Sequence, residues 1–173
     1  MFKAWRREVG FMEIIQGHHT GLTVKNIEKS LNFYQGILKM ELKFSWNPKA
    51  EYLSKVTGYR NADFHIAVLK VPGLDYFIEL LEYRNAEHVE IDHRSGNPGI
   101  AHIAFKVDNL DDWYNHLLAH GVQSVSEPVT PDSGPNKNGK LVYMIDPDGY
   151  RVELIQTQSN FGHFSPSASS SPA

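Results

Sequence analysis

The sequence repeats one pattern, and this internal repeat constrains the fold more than any other feature. Residues 19–27 align with residues 102–110. In each segment a histidine is followed five residues later by valine, then by an asparagine and an aliphatic residue. Both copies also end alike, on YFIELL at 76–81 and YRVELI at 150–155. A unit found twice in the same order predicts two modules of one fold within the chain.

Each copy of the repeat has the pattern of a strand, a helix and about three further strands. Apolar residues recur at spacings of three and four over 27–38 and 110–118, which predicts two helices with one buried stripe each. Asn109 and Gly121 are suited to begin and end the second helix. Apolar runs followed by turn residues predict one further strand in each module, at 64–71 and 140–145.

The repeat also sets the expected boundaries along the chain. The first module is predicted at 15–83 and the second at 99–158, with a linker at 84–98 between them and an N-terminal arm at 1–14. The tail at 159–173 is rich in serine, proline and alanine. Such a segment cannot bury apolar surface, so we predict that it is disordered.

Composition and charge exclude several classes of protein. The 173 residues include no cysteine, which rules out disulfides and thiolate ligands. The net charge is -3, and no basic stripe of the kind that binds nucleic acid is visible. No apolar run approaches the roughly 20 residues that span a bilayer. We therefore expect a cytoplasmic protein with no nucleic-acid or membrane partner.

Two histidines and two glutamates occupy equivalent positions of the repeat. Aliphatic neighbours flank each glutamate, so both faces of its strand are expected to be buried. A buried, unpaired carboxylate costs several kcal/mol. A divalent cation would satisfy both carboxylates, and two neutral imidazoles would complete its shell. Such ligands suit zinc, nickel, cobalt, iron or manganese without choosing among them. The pattern predicts one divalent ion bound by His19, Glu79, His102 and Glu153.

Neighbouring polar residues receive other interpretations. Because alternate residues of a strand face opposite sides, His18 is expected to point away from His19. Glu82 is interpreted in the same way as a solvated charge on the far face. The other histidines have no matched partner in the second copy. Strand alternation also selects Arg151 and Tyr143 as residues that line the substrate site.

These segments resemble the vicinal oxygen chelate superfamily, which includes glyoxalase I, methylmalonyl-CoA epimerase, extradiol dioxygenases, and fosfomycin and bleomycin resistance proteins. The resemblance covers residues 15–158 and is carried by HHTGLTVKNIEKSLNFY, FIELLEY, GIAHIAFKV and DPDGYRVELIQ. It implies an α+β fold in which two βαβββ modules form a curved, mostly antiparallel eight-stranded sheet around a metal site. The family's four ligand positions fall on the same two histidines and two glutamates.

The resemblance implies a metal-dependent proton-transfer enzyme, either a glyoxalase-like lyase, an isomerase or an epimerase. Its substrate would be a small hydroxy-carbonyl compound that chelates the ion through neighbouring oxygens, with Glu153 or Glu79 as the catalytic base. Methylmalonyl-CoA epimerase fits less well, because TGYRNADF at 57–64 lacks its glutamate. The Arg and Asn pairs with which glyoxalase I binds glutathione cannot be placed. A keto-sugar or cyclitol epimerase fits equally well.

Three alternatives remain. An Fe(II)-dependent extradiol dioxygenase uses two histidines and one glutamate, which would leave Glu79 without a role. A drug-binding resistance protein would shelter its ligand without turnover and often lacks the metal residues. A domain that only mediates interactions would leave two buried carboxylates unexplained. A homodimer is expected, and the modules could pair within one chain or across the two copies.

Overall fold

The computed structural model of the chain describes residues 12–49 and 51–159. Most of the predicted N-terminal arm and nearly all of the predicted disordered tail lie outside these described residues. Within them, no helix has the length and apolar character needed to cross a membrane.

Eight strands and three helices make up the described chain. In chain order they are β1 (His19–Thr23), α1 (Ile27–Leu31) continued by a π-helical segment (Asn32–Ile37), β2 (Glu41–Trp46), α2 (Glu51–Thr57), β3 (Phe64–Lys70), β4 (Phe77–Tyr83), β5 (His102–Lys106), α3 (Leu110–Ala119), β6 (Gln123–Ser124), β7 (Lys140–Ile145) and β8 (Arg151–Gln156).

The strands form two four-stranded sheets with the same topology. One sheet has the order β1-β4-β3-β2 and the other β5-β8-β7-β6. Strand β1 runs parallel to β4, and β5 runs parallel to β8. All other neighbouring strands of the two sheets are antiparallel. Parallel neighbours need a long crossover connection, and the intervening helix and strands supply it. The predicted α+β class and the two βαβββ modules are confirmed, with each module forming its own mixed sheet.

Contacts within the fold assign most of α1 to a different unit from the one that the sequence repeat predicts. The chain divides into two compact units, of which the first holds the residues up to Ile27 together with Lys39–Ala86. The second unit holds Glu28–Leu38 and the chain from Glu87 onward. Most of α1 therefore belongs to the second unit, although the sequence assigns it to the first module.

Each unit has an apolar core formed by side chains of its strands and helical segments. Burial of one such side chain stabilises the fold by roughly 1.5–3 kcal/mol. In the first unit the fully buried side chains include Phe64, Ala67, Leu69, Ile78 and Leu80. In the second unit they include Tyr34, Leu110, Leu117 and Met144.

The helices match the sequence pattern in part. Asn109 caps α3 by accepting a hydrogen bond from the backbone N–H of Asp112, and Gly121 follows the helix with φ +76°, as predicted. The first predicted helix changes to π-helical geometry after Leu31. Helix α2 was not predicted, because it is seven residues long and buries no side chain that would give an apolar stripe.

A buried hydrogen-bond network joins the π-helical segment that continues α1 to the turn before β8 in the second unit. The hydroxyl of Tyr34 donates to Oδ2 of Asp146 at 2.9 Å. Oδ1 of Asp146 accepts the backbone N–H groups of Asp148 and Tyr150 at 2.9 and 2.8 Å. Burial and the neighbouring Asp146 raise the pKa of Tyr34 well above its usual value, so Tyr34 remains a donor. One carboxylate thus anchors both the helix and the turn.

Asp146→Ala should lower the free energy of unfolding by about 2–4 kcal/mol, because it leaves buried donors without an acceptor. Asp146→Asn keeps an oxygen for the two backbone N–H groups. Burial raises the pKa of Asp146 from 3.8 in the folded protein. The folded protein therefore holds the proton of Asp146 more tightly than the unfolded chain does. The free energy of unfolding falls as the pH rises from 3.8 to the raised pKa of Asp146.

Urea unfolding between pH 4 and pH 7 measures this effect. Because asparagine does not ionise, the stability of Asp146→Asn should improve relative to wild type as the pH rises. A difference between the two proteins that stays constant over this range would contradict the assignment.

Candidate metal centre

His19 and Glu79 form a pair on two neighbouring strands of the first unit. His19 begins β1, and Glu79 lies on the parallel strand β4 opposite Gly21. Nε2 of His19 is 3.4 Å from Oε2 of Glu79. A Cβ atom on Gly21 would lie 3.8 Å from the same Glu79 oxygen. The absent side chain leaves room beside the carboxylate.

His102 and Glu153 form the equivalent pair in the second unit. His102 begins β5, and Glu153 lies on the parallel strand β8 opposite Ala104. Nε2 of His102 is 3.1 Å from Oε2 of Glu153. The side chain of Glu153 is 11% exposed, compared with 24% for Glu79. The repeat therefore builds the same His–Glu pair twice, with the second carboxylate more shielded.

The spacing within each pair fits two ligands of one cation. Ligands about 2.1 Å from an ion, at the angles of octahedral or tetrahedral coordination, lie roughly 3.0–3.4 Å apart. The observed N···O distances of 3.4 and 3.1 Å fall in this range. A charge-assisted hydrogen bond is shorter, at about 2.7–2.9 Å. Imidazole nitrogen and carboxylate oxygen are also suitable donors for the divalent metals named above.

The structure brings the four predicted ligands together as two pairs. No group of three or more His, Asp or Glu side chains placed to hold a metal occurs within residues 12–49 and 51–159. The four-ligand set therefore stays a prediction, supported by the geometry of each pair.

Tyr143 contacts both members of the second pair. It lies on β7 opposite Glu153, and its ring centroid is 5.3 Å from that of His102, in edge geometry. Burial, together with the charge of Glu153 and a hydrogen bond to it, raises the pKa of Tyr143. The phenol therefore stays protonated and donates to Glu153. The equivalent position in the first unit, opposite Glu79, is Val68.

Arg151 lies next to this second pair. It is the register partner of His102 on β8, and its Nη1 donates to the carbonyl of Gly149 at 3.0 Å. Its Nε is buried and has no hydrogen-bond partner. The structure thus places Arg151 beside the His–Glu pair, and its role in substrate binding stays a prediction.

Two neighbouring residues differ from the sequence interpretation. Nδ1 of His18 lies 2.7 Å from Nδ1 of His19, although the two residues were expected to point apart. Glu82 does face the far side, but it is not a solvated charge. Its side chain is 18% exposed and lies 3.8 Å from His65 and 3.7 Å from Arg84. The pairing of β3 with β4, which sequence alone did not supply, brings His65 opposite it.

The fold and these two pairs define a class of duplicated α+β proteins with one His–Glu pair in each module. The family model of the glyoxalase/bleomycin resistance protein/dioxygenase superfamily matches residues 16–154. The chain belongs to this superfamily.

Curated relatives resemble most of the chain. A lactoylglutathione lyase of Haemophilus influenzae is 28% identical over 144 residues, which cover 82% of this chain and 92% of the relative. The lactoylglutathione lyase of Neisseria meningitidis serogroup A is 31% identical, with coverage of 82% and 90%. A probable lactoylglutathione lyase of a Synechocystis strain is 32% identical, with coverage of 82% and 95%. These matches support an enzyme of the superfamily.

Solved structures support the fold alone. A glyoxalase family protein of Bacillus cereus superposes with a TM-score of 0.72 at 20% identity, covering 86% of this chain and 98% of that one. A glyoxalase/dioxygenase of Nostoc punctiforme gives a TM-score of 0.60, also at 20% identity, with coverage of 84% and 92%.

Proposed function

We propose that this chain is a metal-dependent lyase that acts on the adduct of a thiol with a 2-oxoaldehyde. The observation that carries the proposal is the duplicated His–Glu pair, with N···O distances of 3.4 and 3.1 Å. The several relatives named as lactoylglutathione lyases favour a lyase over an epimerase. Lactoylglutathione is a thioester, and its lyase reaction links it to glutathione and a 2-oxoaldehyde. The adduct of those two compounds is a hydroxy-carbonyl compound with oxygens on neighbouring carbons.

We infer that His19, Glu79, His102 and Glu153 hold one divalent ion. When bound, the ion would act as a Lewis acid that polarises two neighbouring substrate oxygens. Both modules contribute one imidazole and one carboxylate, so the four ligands carry two negative charges and neutralise a divalent ion. The two pairs could come from one chain or from the two copies of a homodimer.

Glu153 is the better candidate for the base, and Glu79 is the second. The carboxylate of Glu153 is the more shielded of the two, and it accepts a hydrogen bond from the hydroxyl group of Tyr143. Shielding excludes water from the proton transfer. Glu153 would take the proton from the carbon that bears the hydroxyl group and return it to the neighbouring carbonyl carbon. The hydroxyl hydrogen would pass to the oxygen of that neighbouring carbon, so the first carbon becomes the thioester carbonyl and the second carries the hydroxyl group. Arg151, the register partner of His102, would contact an anionic part of the substrate.

The experiment is a turnover assay on protein stripped of metal and reloaded separately with zinc, nickel, cobalt, manganese or Fe(II). Glutathione mixed with methylglyoxal supplies the adduct, and thioester formation is followed by ultraviolet absorbance. We expect turnover with at least one metal and none in the stripped protein. Absence of turnover with every metal would contradict the proposal. A parallel assay of oxygen consumption with catechol and Fe(II) tests the dioxygenase alternative, which predicts uptake there.

Tyr143→Phe should lower kcat by roughly 10–100-fold, because a hydrogen bond to a charged group contributes about 1.5–3 kcal/mol and Glu153 keeps its contact with His102. The bound metal should remain. The matched control is Tyr59→Phe, which removes an exposed phenol of the first unit. Steady-state kinetics on both variants make the comparison. Equal kcat values for the wild type and Tyr143→Phe would show that the phenol does not support Glu153.

A further inference from the structure

His18 and His19 form a direct contact between two imidazole rings. Their Nδ1 atoms lie 2.7 Å apart, and the rings meet nearly at right angles, with an interplanar angle of 80° and centroids 5.0 Å apart. Two ring nitrogens at this distance share one hydrogen, which one of them donates to the other. The contact therefore couples the hydrogen position on His19 to that on His18.

The end of the strand explains how neighbouring side chains can meet. Strand β1 begins at His19, so His18 lies outside the ladder in which side chains alternate. The carbonyl of His18 still accepts the backbone N–H of Phe77 at 3.3 Å, which fixes its backbone beside β4. Its ring also lies 6.2 Å from that of Phe77, the register partner of His19.

This arrangement allows two placements of the shared hydrogen. In the first, Nδ1 of His18 donates to Nδ1 of His19, and Nε2 of His19 carries a hydrogen toward Glu79. In the second, Nδ1 of His19 donates to Nδ1 of His18, and Nε2 of His19 has a free lone pair 3.4 Å from the Glu79 carboxylate. Only the second placement allows Nε2 to bind a cation, because a neutral imidazole has one donor and one acceptor nitrogen.

We propose that His18 is a positioning residue for His19, whose Nδ1–H it accepts so that Nε2 of His19 is free to bind the ion. The inference rests on the proposed function, because it requires His19 to be a metal ligand. The change from the first placement to the second conserves protons. Nε2 of His19 releases its hydrogen to water, and the shared hydrogen moves from Nδ1 of His18 to Nδ1 of His19. Nε2 of His18 then takes up one hydrogen from water. Ligand histidines commonly donate their other ring hydrogen to a partner of this kind.

The second unit has alanine in place of this imidazole. The residue before His102 is Ala101, the position equivalent to His18. There the ring contact to the ligand histidine comes from Tyr143 instead. His18→Ala would therefore reproduce in the first unit what the second unit already has at this position.

The first experiment compares Co²⁺ binding by metal-free wild type, His18→Leu and His18→Asn, in competition with a chromophoric chelator. Leucine cannot accept the hydrogen, so the Co²⁺ dissociation constant of His18→Leu should be 10–100-fold higher than that of the wild type. The amide oxygen of asparagine occupies nearly the place of Nδ1, so His18→Asn should bind more tightly than His18→Leu. His88→Leu removes an exposed histidine of the linker and should bind as the wild type does.

The outcomes separate the inference from the proposed function. Co²⁺ binding that is lost in Glu79→Ala but unchanged in His18→Leu would overturn the role of His18 and leave the metal centre standing. A wild-type protein that takes up no Co²⁺ would overturn both. Because His18 is exposed, the thermal midpoint of His18→Leu should match that of the wild type, which separates a loss of binding from a loss of folding.

Nuclear magnetic resonance of the zinc-loaded protein tests the hydrogen positions directly. Long-range ¹H–¹⁵N correlation of the imidazoles should show a hydrogen on Nδ1 of His19 and metal on its Nε2, with Nδ1 of His18 unprotonated. A His19 ring that binds zinc through Nδ1, or a His18 ring with a hydrogen on Nδ1, would overturn the inference.

Discussion

Glu153→Gln should lower kcat of the metal-loaded protein by at least about 10³-fold. A positioned general base contributes roughly 10²–10⁴-fold, and glutamine cannot accept the proton. The same change replaces a carboxylate ligand by a neutral amide, so metal affinity should fall as well. Both effects originate at the most shielded carboxylate of the candidate centre, which lies 3.1 Å from His102 and accepts a hydrogen bond from Tyr143.

The measurement is kcat at saturating metal, together with the metal content of the variant. Saturating metal separates loss of the base from loss of the ion. Glu127→Gln, which removes an exposed carboxylate from the loop of the same unit, serves as the matched control and should behave as the wild type does. If Glu153→Gln retained more than a tenth of the wild-type kcat, the proton would have to be taken by another group, with Glu79 the next candidate.

Glu79→Ala should abolish lyase turnover and weaken metal binding by at least about 100-fold, since it removes one of two anionic ligands and leaves His19 with no charged neighbour on β4. Glu82→Gln is the matched control. It lies three residues further along the same strand on the opposite face, so it should leave both properties unchanged.

The outcome for Glu79→Ala separates the lyase from a dioxygenase. A two-histidine, one-carboxylate oxygenase does not need this glutamate. A Glu79→Ala protein that keeps Fe(II) and consumes oxygen with catechol would therefore contradict the four-ligand proposal and favour a ring-cleaving enzyme.

The repeat allowed most of the fold to be predicted, because its signals are periodic. The helix before Leu38, the cap at Asn109 and the two closing strands follow from local spacing and local hydrogen bonds. Helix α2 escaped prediction because its exposed residues Tyr52 and Val56 give no buried stripe. The π-helical segment escaped because it has the same apolar spacing as an ordinary helix.

The ligand pairs could be predicted from equivalent positions, while their partners could not. His18 was assigned to the wrong side because strand alternation was applied to a residue that precedes the strand. The pairing of Glu82 with His65 depends on strand register. The hydrogen bond of Tyr143 to Glu153 depends likewise on β7 lying next to β8 in register. Contacts between strands are set by sheet order, which neither composition nor periodicity encodes.

The metal content of purified protein tests the central claim most directly. Each chain carries four predicted ligands, so one ion per chain is expected whether the pairs come from one copy or from two. Elemental analysis of the wild type, Glu79→Ala and Glu153→Ala should find about one divalent ion per chain in the wild type and a substoichiometric amount in both variants. Equal metal content in all three proteins, or none in the wild type, would contradict a centre built from these residues.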